Sequence, residues 1–299
     1  MTDSDPVAVP NRAAPCVSIG LPVFNGVDFL RQAIDSLLAQ SFGDFELIIS
    51  DNASTDDTEA VCREIAARDS RVRCTRLSEN IGGVSNHNRV ASLAVGSYFM
   101  WAASDDFWHP DYLQRCVDVL DHNSDVVVAF AINALMDETG RPVRHVPMGP
   151  SLAIDDAVER FRRSTEINRT IEPFYGLIRR SALQQVAPMV KHPGFDRILF
   201  AELALVGKLH QIAEPLYVRR IHAGQSVGAY PSLKSRYRWI SPGRNRRFVF
   251  PHLEYAAYFA GAALRSAPSM KLKAQCLLHL AKWCNWHRGS IWREVVRAE

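Results

Sequence analysis

An α/β fold built on a mostly parallel central sheet is what this 299-residue sequence predicts. Two observations carry the prediction. From residue 16 onward, apolar runs of strand length alternate with one-sided apolar stripes at helical spacing. The segments joining them are short and rich in Gly, Asn, Asp and Ser, the residues of tight turns. Strands alternating with helices at this spacing pair in parallel, with helices covering both faces of the sheet.

The elements follow in order. Residues 16–21 (CVSIGL) form a short apolar strand that ends at Pro22. Residues 28–40 carry Phe29, Leu30, Ala33, Leu37 and Leu38 on one side, a helix with a buried stripe. The second strand is 45–50 (FELIIS), and the second helix spans 54–68. Ser54 with Asp57 three residues on has the spacing of a capping box, which predicts where that helix starts. A third strand covers 72–77, a helix 82–94 follows a glycine turn, and a fourth strand covers 98–102. Residues 110–122 form a helix with Pro110 in its first turn, and 125–131 form a fifth strand.

Composition bounds the function. An apolar fraction of 47% and a charged fraction of 22% are those of an ordinary globular protein. Cys16, Cys62, Cys74, Cys116, Cys276 and Cys284 show neither C-x-x-C nor zinc-ligand spacing, so they read as reduced thiols of a cytosolic protein. Residues 1–15 hold Asp3, Asp5 and three prolines but no apolar stretch, and read as a disordered segment rather than a signal peptide or anchor. No apolar run reaches the length of about 18 residues that a membrane span needs.

In an open parallel sheet, ligands bind beyond the carboxyl ends of the strands. Four loops lie there: Pro22-Val23-Phe24-Asn25-Gly26, Asp51-Asn52-Ala53-Ser54-Thr55-Asp56-Asp57, Glu79-Asn80-Ile81-Gly82-Gly83 and Ser104-Asp105-Asp106. Each alone is ordinary turn chemistry; together at one sheet edge they outline a site. Adjacent carboxylates repel, so Asp105-Asp106 suits a divalent cation, which commonly takes one or two carboxylates plus phosphate oxygens. The plainer alternative is a solvated pair capping the helix that starts near Pro110.

The ordered set VSIGLPVFNG, QSFGDFELIISDNASTDDT, ENIGGVSNHN, GSYFMWAASDDFWHPDYL, FYGLIRRSAL and GFDRILFAELALVGKL resembles the family 2 glycosyltransferases of GT-A fold, over residues 16–230. The resemblance implies an inverting transfer of sugar from a nucleoside diphosphate, UDP-type favoured, to a glycan or lipid-linked acceptor in cell-envelope polysaccharide or glycolipid synthesis. It implies that Pro22 and Asn25 line the nucleotide pocket and that Asp51 accepts a hydrogen bond from a uracil-type base. Asn80, Gly83 and Asn88 would border the nucleotide and Asp105 the ribose. Asp106 would hold Mn²⁺ or Mg²⁺, with His222 completing the metal shell or touching the diphosphate, unless that histidine is structural. One departure stands out: where many relatives have Asp-x-Asp-Asp, the first position is Ala103.

Gly194-Phe195-Asp196, eleven residues before Gly207, resembles the family's acidic motif, with Phe195 at the usual Glu position. Asp196 is then the candidate general base; a helix N-cap is the alternative role, and Glu202 the fallback base. A nucleotidyltransferase also uses acidic metal sites, but usually has a glycine-rich loop with a basic residue after the first strand, which Pro22–Gly26 lacks. A catalytically degenerate sugar-nucleotide sensor or scaffold is the non-enzymatic alternative, suggested by Ala103 and Phe195.

After Pro231 the character changes. Residues 232–299 hold thirteen Lys/Arg against three Glu, an excess of +10 in a chain whose net charge is +3. This basic, mostly helical extension (231–299) carries Arg236, Arg238, Arg244, Arg246 and Arg247, apolar helices near 253–264 and 270–286, and four of the six tryptophans. Such a segment suits peripheral contact with anionic membrane at the inner face of the plasma membrane; packing on the domain or a homodimer contact is the equal alternative. No nucleic-acid motif accompanies the charge, so nucleic acid is not an expected partner.

Overall fold

The computed structural model describes residues 14–145, 149, 151–166, 172–243 and 249–296. Most of the segment expected to be disordered, and Arg244, Arg246 and Arg247, lie outside the described residues.

The elements run β1 (Val17–Val23), α1 (Val27–Leu38), β2 (Phe45–Asp51), α2 (Thr58–Arg68), β3 (Val72–Arg76), α3 (Gly83–Ser92) and β4 (Tyr98–Trp101). Then come β5 (Phe107–Trp108), α4 (Tyr112–His122), β6 (Val126–Asp137), β7 (Pro142–His145) and α5 (Ala157–Glu166). A 3₁₀ turn at Glu172–Tyr175 leads into β8 (Leu177–Arg179), α6 (Arg180–Leu183), α7 (Phe195–Val206) and β9 (Lys208–Ile221). The remainder is helical: α8 (Ser226–Ala229), α9 (Leu233–Ile240), α10 (Pro251–Ser266), α11 (Met270–Trp286) and α12 (Arg288–Val296).

Among the described residues the sheet order is β3-β2-β1-β4-β8-β6-β9-β5, with β7 paired to β6. β3, β2, β1 and β4 are mutually parallel, as are β6 and β9, whereas β8, β5 and β7 pair antiparallel to their neighbours. The expected parallel sheet therefore has antiparallel members in its second half. The chain runs outward from β1 through β2 to β3, then returns to the other side of β1 with β4. That reversal opens a crevice beyond the carboxyl ends of β1 and β4.

Helices cover both faces. The α1 stripe Leu30, Ala33, Ile34 and Leu37 is fully buried with Cys62, Tyr112 and Leu120 against one face of the sheet. Val84, Val90, Leu199, Phe200 and Leu203 of α3 and α7 cover the other. A third cluster joins the far side of α7 (Ile198, Leu205) to Phe161, Phe259, Leu280 and Trp283. The basic extension thus shares a core with the residues before it. Ile240 of α9 is fully buried in the same cluster as Val84 and Val90.

Three expected boundaries move. α2 starts at Thr58 with Asp57 as N-cap, because the Ser54 hydroxyl accepts the Asn25 N–H at 2.9 Å instead of capping the helix. α4 starts at Tyr112 with Asp111 as N-cap, so Asp105 and Asp106 do not cap it. The fifth strand extends from the expected 125–131 to Asp137, where it gains β9 and β7 as partners.

Candidate active site

The loops after β1, β2 and β3 are stitched together by short polar bonds. The backbone N–H groups of Asn25, Gly26 and Val27 donate to Ser54 Oγ (2.9 Å), Thr58 Oγ1 (3.0 Å) and Asp56 Oδ2 (3.2 Å). In return Asn25 Oδ1 accepts the Thr55 N–H at 2.8 Å. Asn25 (φ 50°) and Ala53 (φ 61°) both adopt the left-handed conformation that these tight loops require. Half-buried Pro22 lies in β1, in register with Ser50, at the edge that these loops cover.

Asp51 ends β2 with no exposed surface. Its Oδ1 accepts the Ser54 N–H at 2.9 Å and its Oδ2 takes an ion pair from Arg76 at 3.1 Å. A carboxylate offers about four lone-pair sites, so this anchored group retains acceptor capacity. Asn52 Nδ2 donates to Asn80 Oδ1 at 3.0 Å and Asn52 Oδ1 accepts the Ile81 N–H at 2.9 Å, locking the β2 and β3 loops together. The turn that follows belongs to glycine. Gly82 has φ +88°, and a Cβ there would come within 2.3 Å of the Ile240 carbonyl; one on Gly83 would come within 2.5 Å of the Trp239 ring. α9 of the extension therefore lies directly on the amino end of α3. Asn88 does not face this edge: it clasps Met189, donating to its carbonyl at 2.8 Å and accepting from its N–H at 3.0 Å.

The two adjacent acids part company. Asp106 is 4% exposed, its Oδ1 accepting the Arg220 N–H at 2.9 Å and its Oδ2 accepting from the Tyr217 hydroxyl. Burial first, and the Asp105 carboxylate second, push its carboxyl up to about 7. Asp105 instead meets His222, whose Nε2 lies 2.9 Å from Asp105 Oδ2. The end of β9 sets that contact: buried Arg220 donates to the Asp105 carbonyl (3.1 Å) and Gln32 Oε1 (2.7 Å), and its guanidinium lies 4.5 Å from the Phe29 ring centroid. The His222 ring packs edge-on against the same Phe29 at 4.7 Å.

Among the described residues no group of three or more His, Cys, Asp or Glu side chains converges as a metal cage. The Asp105 and His222 pair fits a different design, one carboxylate oxygen and one imidazole nitrogen, leaving the other positions of a hard divalent cation to phosphate and water.

Asp196 sits in the first turn of α7, whose N-cap is Gly194, so capping is not its task. Its Oδ1 accepts the Arg197 N–H at 2.8 Å. Burial pushes its carboxyl above the ordinary 3.8, while that N–H and the Arg197 guanidinium oppose the shift. Tyr175 joins it to the acidic pair: burial, then the carboxylates of Asp106, Asp105 and Asp196, all hold its phenol well above its usual range. Glu202, the fallback base, is 1% exposed and consumed by Arg265 (3.0 and 2.9 Å) and the Ser266 hydroxyl (2.8 Å), so it anchors α10 to α7.

Sequence reasoning passed over Asn52, Arg76, Tyr175, Tyr217 and Arg220. Asn52 and Tyr175 lie inside quoted motifs and Arg76 in the expected third strand, whereas Tyr217 and Arg220 lie outside every quoted motif; the roles of all five rest on partners distant in sequence.

The family model described as "Glycosyl transferase family 2" matches residues 18–187. The putative teichuronic acid biosynthesis glycosyltransferase TuaG of Bacillus subtilis (strain 168) is 32% identical over 146 residues, 48% of this chain and 58% of that protein. The chondroitin synthase of Escherichia coli is 32% identical over 130 residues, 43% of this chain and 19% of that one. The chain thus matches less than two thirds of the length of these relatives. Among solved structures, S. aureus TarS 1-349 in complex with UDP-GlcNAc superposes with a TM-score of 0.62 at 17% identity, covering 91% of this chain and 72% of that one. The mannosyltransferase PcManGT of Pyrobaculum calidifontis, in complex with GDP-Man and Mn²⁺, does so with a TM-score of 0.55 at 16% identity, covering 99% and 89%. The mixed sheet with its loop-built edge is the GT-A fold, and the chain belongs to glycosyl transferase family 2.

Proposed function

We propose that this chain transfers a sugar, with inversion, from a nucleoside diphosphate of uridine type to an acceptor hydroxyl in cell-envelope polysaccharide or glycolipid synthesis. The observation that carries the reading is the Asp105–His222 contact in the loop that follows β4, with Asp196 a third carboxylate acting on the same buried Tyr175 phenol as Asp105 and Asp106. The UDP-GlcNAc complex of the TarS neighbour and the teichuronic acid role named for the Bacillus relative support the donor and the pathway class.

In this reading Asp51 accepts the imide N–H of the base, with Arg76 fixing its carboxylate, while Pro22, Asn25, Asn80 and Gly83 shape the nucleotide cradle. Mn²⁺ or Mg²⁺ would be held by Asp105 and His222, a change from the sequence expectation that Asp106 is the ligand. Asp106, its oxygens occupied by Tyr217 and Arg220, braces β9 so that His222 meets Asp105. When bound, the metal acts as a Lewis acid that neutralises charge on the departing diphosphate. Asp196 removes the acceptor proton as the hydroxyl attacks opposite the nucleotide.

The test is release of nucleoside diphosphate from a panel of donor sugars with Mn²⁺ or Mg²⁺. Release is expected from one donor, lost in Asp105→Ala and in Asp196→Asn, with Asp196→Asn alone retaining metal-dependent donor binding. Donor binding without release under every acceptor condition would favour a sensor and overturn the transfer reading.

A further inference from the structure

α11 is apolar on two opposite sides, and the fold covers one of them. Cys276, His279, Leu280 and Trp283 are buried against the cluster that holds Phe161 and Phe259. On the opposite side, Met270 (77% exposed), Leu277 and Leu278 (66%) repeat at helical spacing and face outward. Trp286 at the end of α11 and Trp292 on α12 (68%) are exposed too. A helix that shows apolar side chains on both faces is built for a second partner.

The charge around this face selects the partner. Lys271 and Lys282 flank the outward row, and Arg288 and Arg293 follow in α12, all exposed. On these two helices the described acid is Glu294, which is engaged by His252. The acids of neighbouring α5, Glu159 and Glu166, are matched by Arg162 and Arg163. The outward face is therefore apolar with a basic margin, and indoles stand at its end, Trp286 beside His279 and Trp292 on α12. Tryptophan favours the boundary between hydrocarbon and water, and lysine and arginine stems lie along an apolar surface while their charges reach outward. No helix among the described residues is long and apolar enough to cross a membrane, so the contact lies in the plane of the surface.

We propose that the outward face of α11 and α12 docks this chain on the surface of a bilayer containing anionic phospholipid. The inference stands apart from the transfer reading, since it rests on the surface of the extension alone. α11 and α12 pack on α10, and α10 on α7, the helix that bears Asp196, so docking would tether the body that carries the candidate site.

The full chain is sedimented with vesicles of phosphatidylcholine alone and of phosphatidylcholine with phosphatidylglycerol. Binding is expected on the anionic vesicles, with a blue shift of tryptophan emission, and should fall by at least roughly tenfold between low and high salt as the charges are screened. Leu278→Glu with Trp286→Ala should abolish it, and Lys271→Glu with Lys282→Glu should weaken it and lessen its salt dependence, while thermal melting shows both variants folded. No binding to anionic vesicles at low salt would overturn the proposal. So would binding unaffected by Leu278→Glu and Trp286→Ala, or a dimer in solution that those substitutions dissociate in a chain that ignores vesicles.

Discussion

A carboxylate that removes a proton during attack is most effective when it titrates near the working pH. Asp196 is moved in that direction by burial, which holds it above the ordinary 3.8 against the pull of Arg197. The base works ionised, so kcat/KM should fall as pH drops through that raised value. Asp196→Asn should lower kcat by about 10² to 10⁴, leave the donor KM nearly unchanged, and erase the acidic limb of the profile. An unaltered limb would assign it to another group. Asp196 was legible because its residue type and its distance from Gly207 sit in one short motif. Tyr217 and Arg220 were not, since they meet Asp106 across 111 and 114 residues of chain. The sequence also suggested that Asp105 and Asp106 face one ligand. The two acids sit in the bend between β4 and β5, and there one meets His222 while the other is held by Tyr217 and Arg220.

At the scale of elements, α7 carries two acids with different work. Glu202 lies one and a half turns beyond Asp196 and is held by α10, so Arg265→Ala would leave a buried carboxylate with Ser266 as its chief partner. We expect a loss of about 2 kcal/mol in unfolding free energy by denaturant titration, with kcat per folded molecule unchanged, which also separates Glu202 from the base. α3 supplies an acid sensitivity. His87 sits among the Phe174 and Phe195 rings, and burial holds its imidazole down to about 4 against an ordinary 6.5. Between those values the unfolded chain binds a proton that the folded chain refuses, so stability is intact above 6.5 and drains away as pH falls toward 4. The loss is about 3 kcal/mol, and His87→Gln should flatten that part of a pH–stability curve. The first four strands were legible because each is a short stretch of strand length with apolar residues, bounded by turn residues. β9 was not, because its LYVRRI end shows no regular alternation of buried and exposed side chains, and Pro215 interrupts it.

For the whole molecule, the family resemblance ends at residue 230 and a basic, mostly helical extension follows, for which packing on the domain was one of the expected roles. The packing argues for a single folding unit. Ile240, Phe259, Leu280 and Trp283 are each almost wholly buried, and their partners include Val84 and Val90 of α3 and Ile198 and Leu205 of α7. Burying such a side chain contributes about 1.5–3 kcal/mol, so these four account for roughly 6–12 kcal/mol. That is of the same order as the whole net stability of a domain, about 5–15 kcal/mol. A chain ending at residue 230 should therefore lack a cooperative melt and expose the outer face of α7, the helix whose first turn holds Asp196 in place. Circular dichroism melts of the full chain and of residues 1–230 decide the matter. A sharp transition in the short chain would make the extension an independent module, and would leave Trp239 on Gly83 as a contact between two bodies. Loss of that transition would mean that nucleotide cradle, base and basic surface stand on one shared core, so that a substitution at Trp283 or Phe259 would be felt at Asp196.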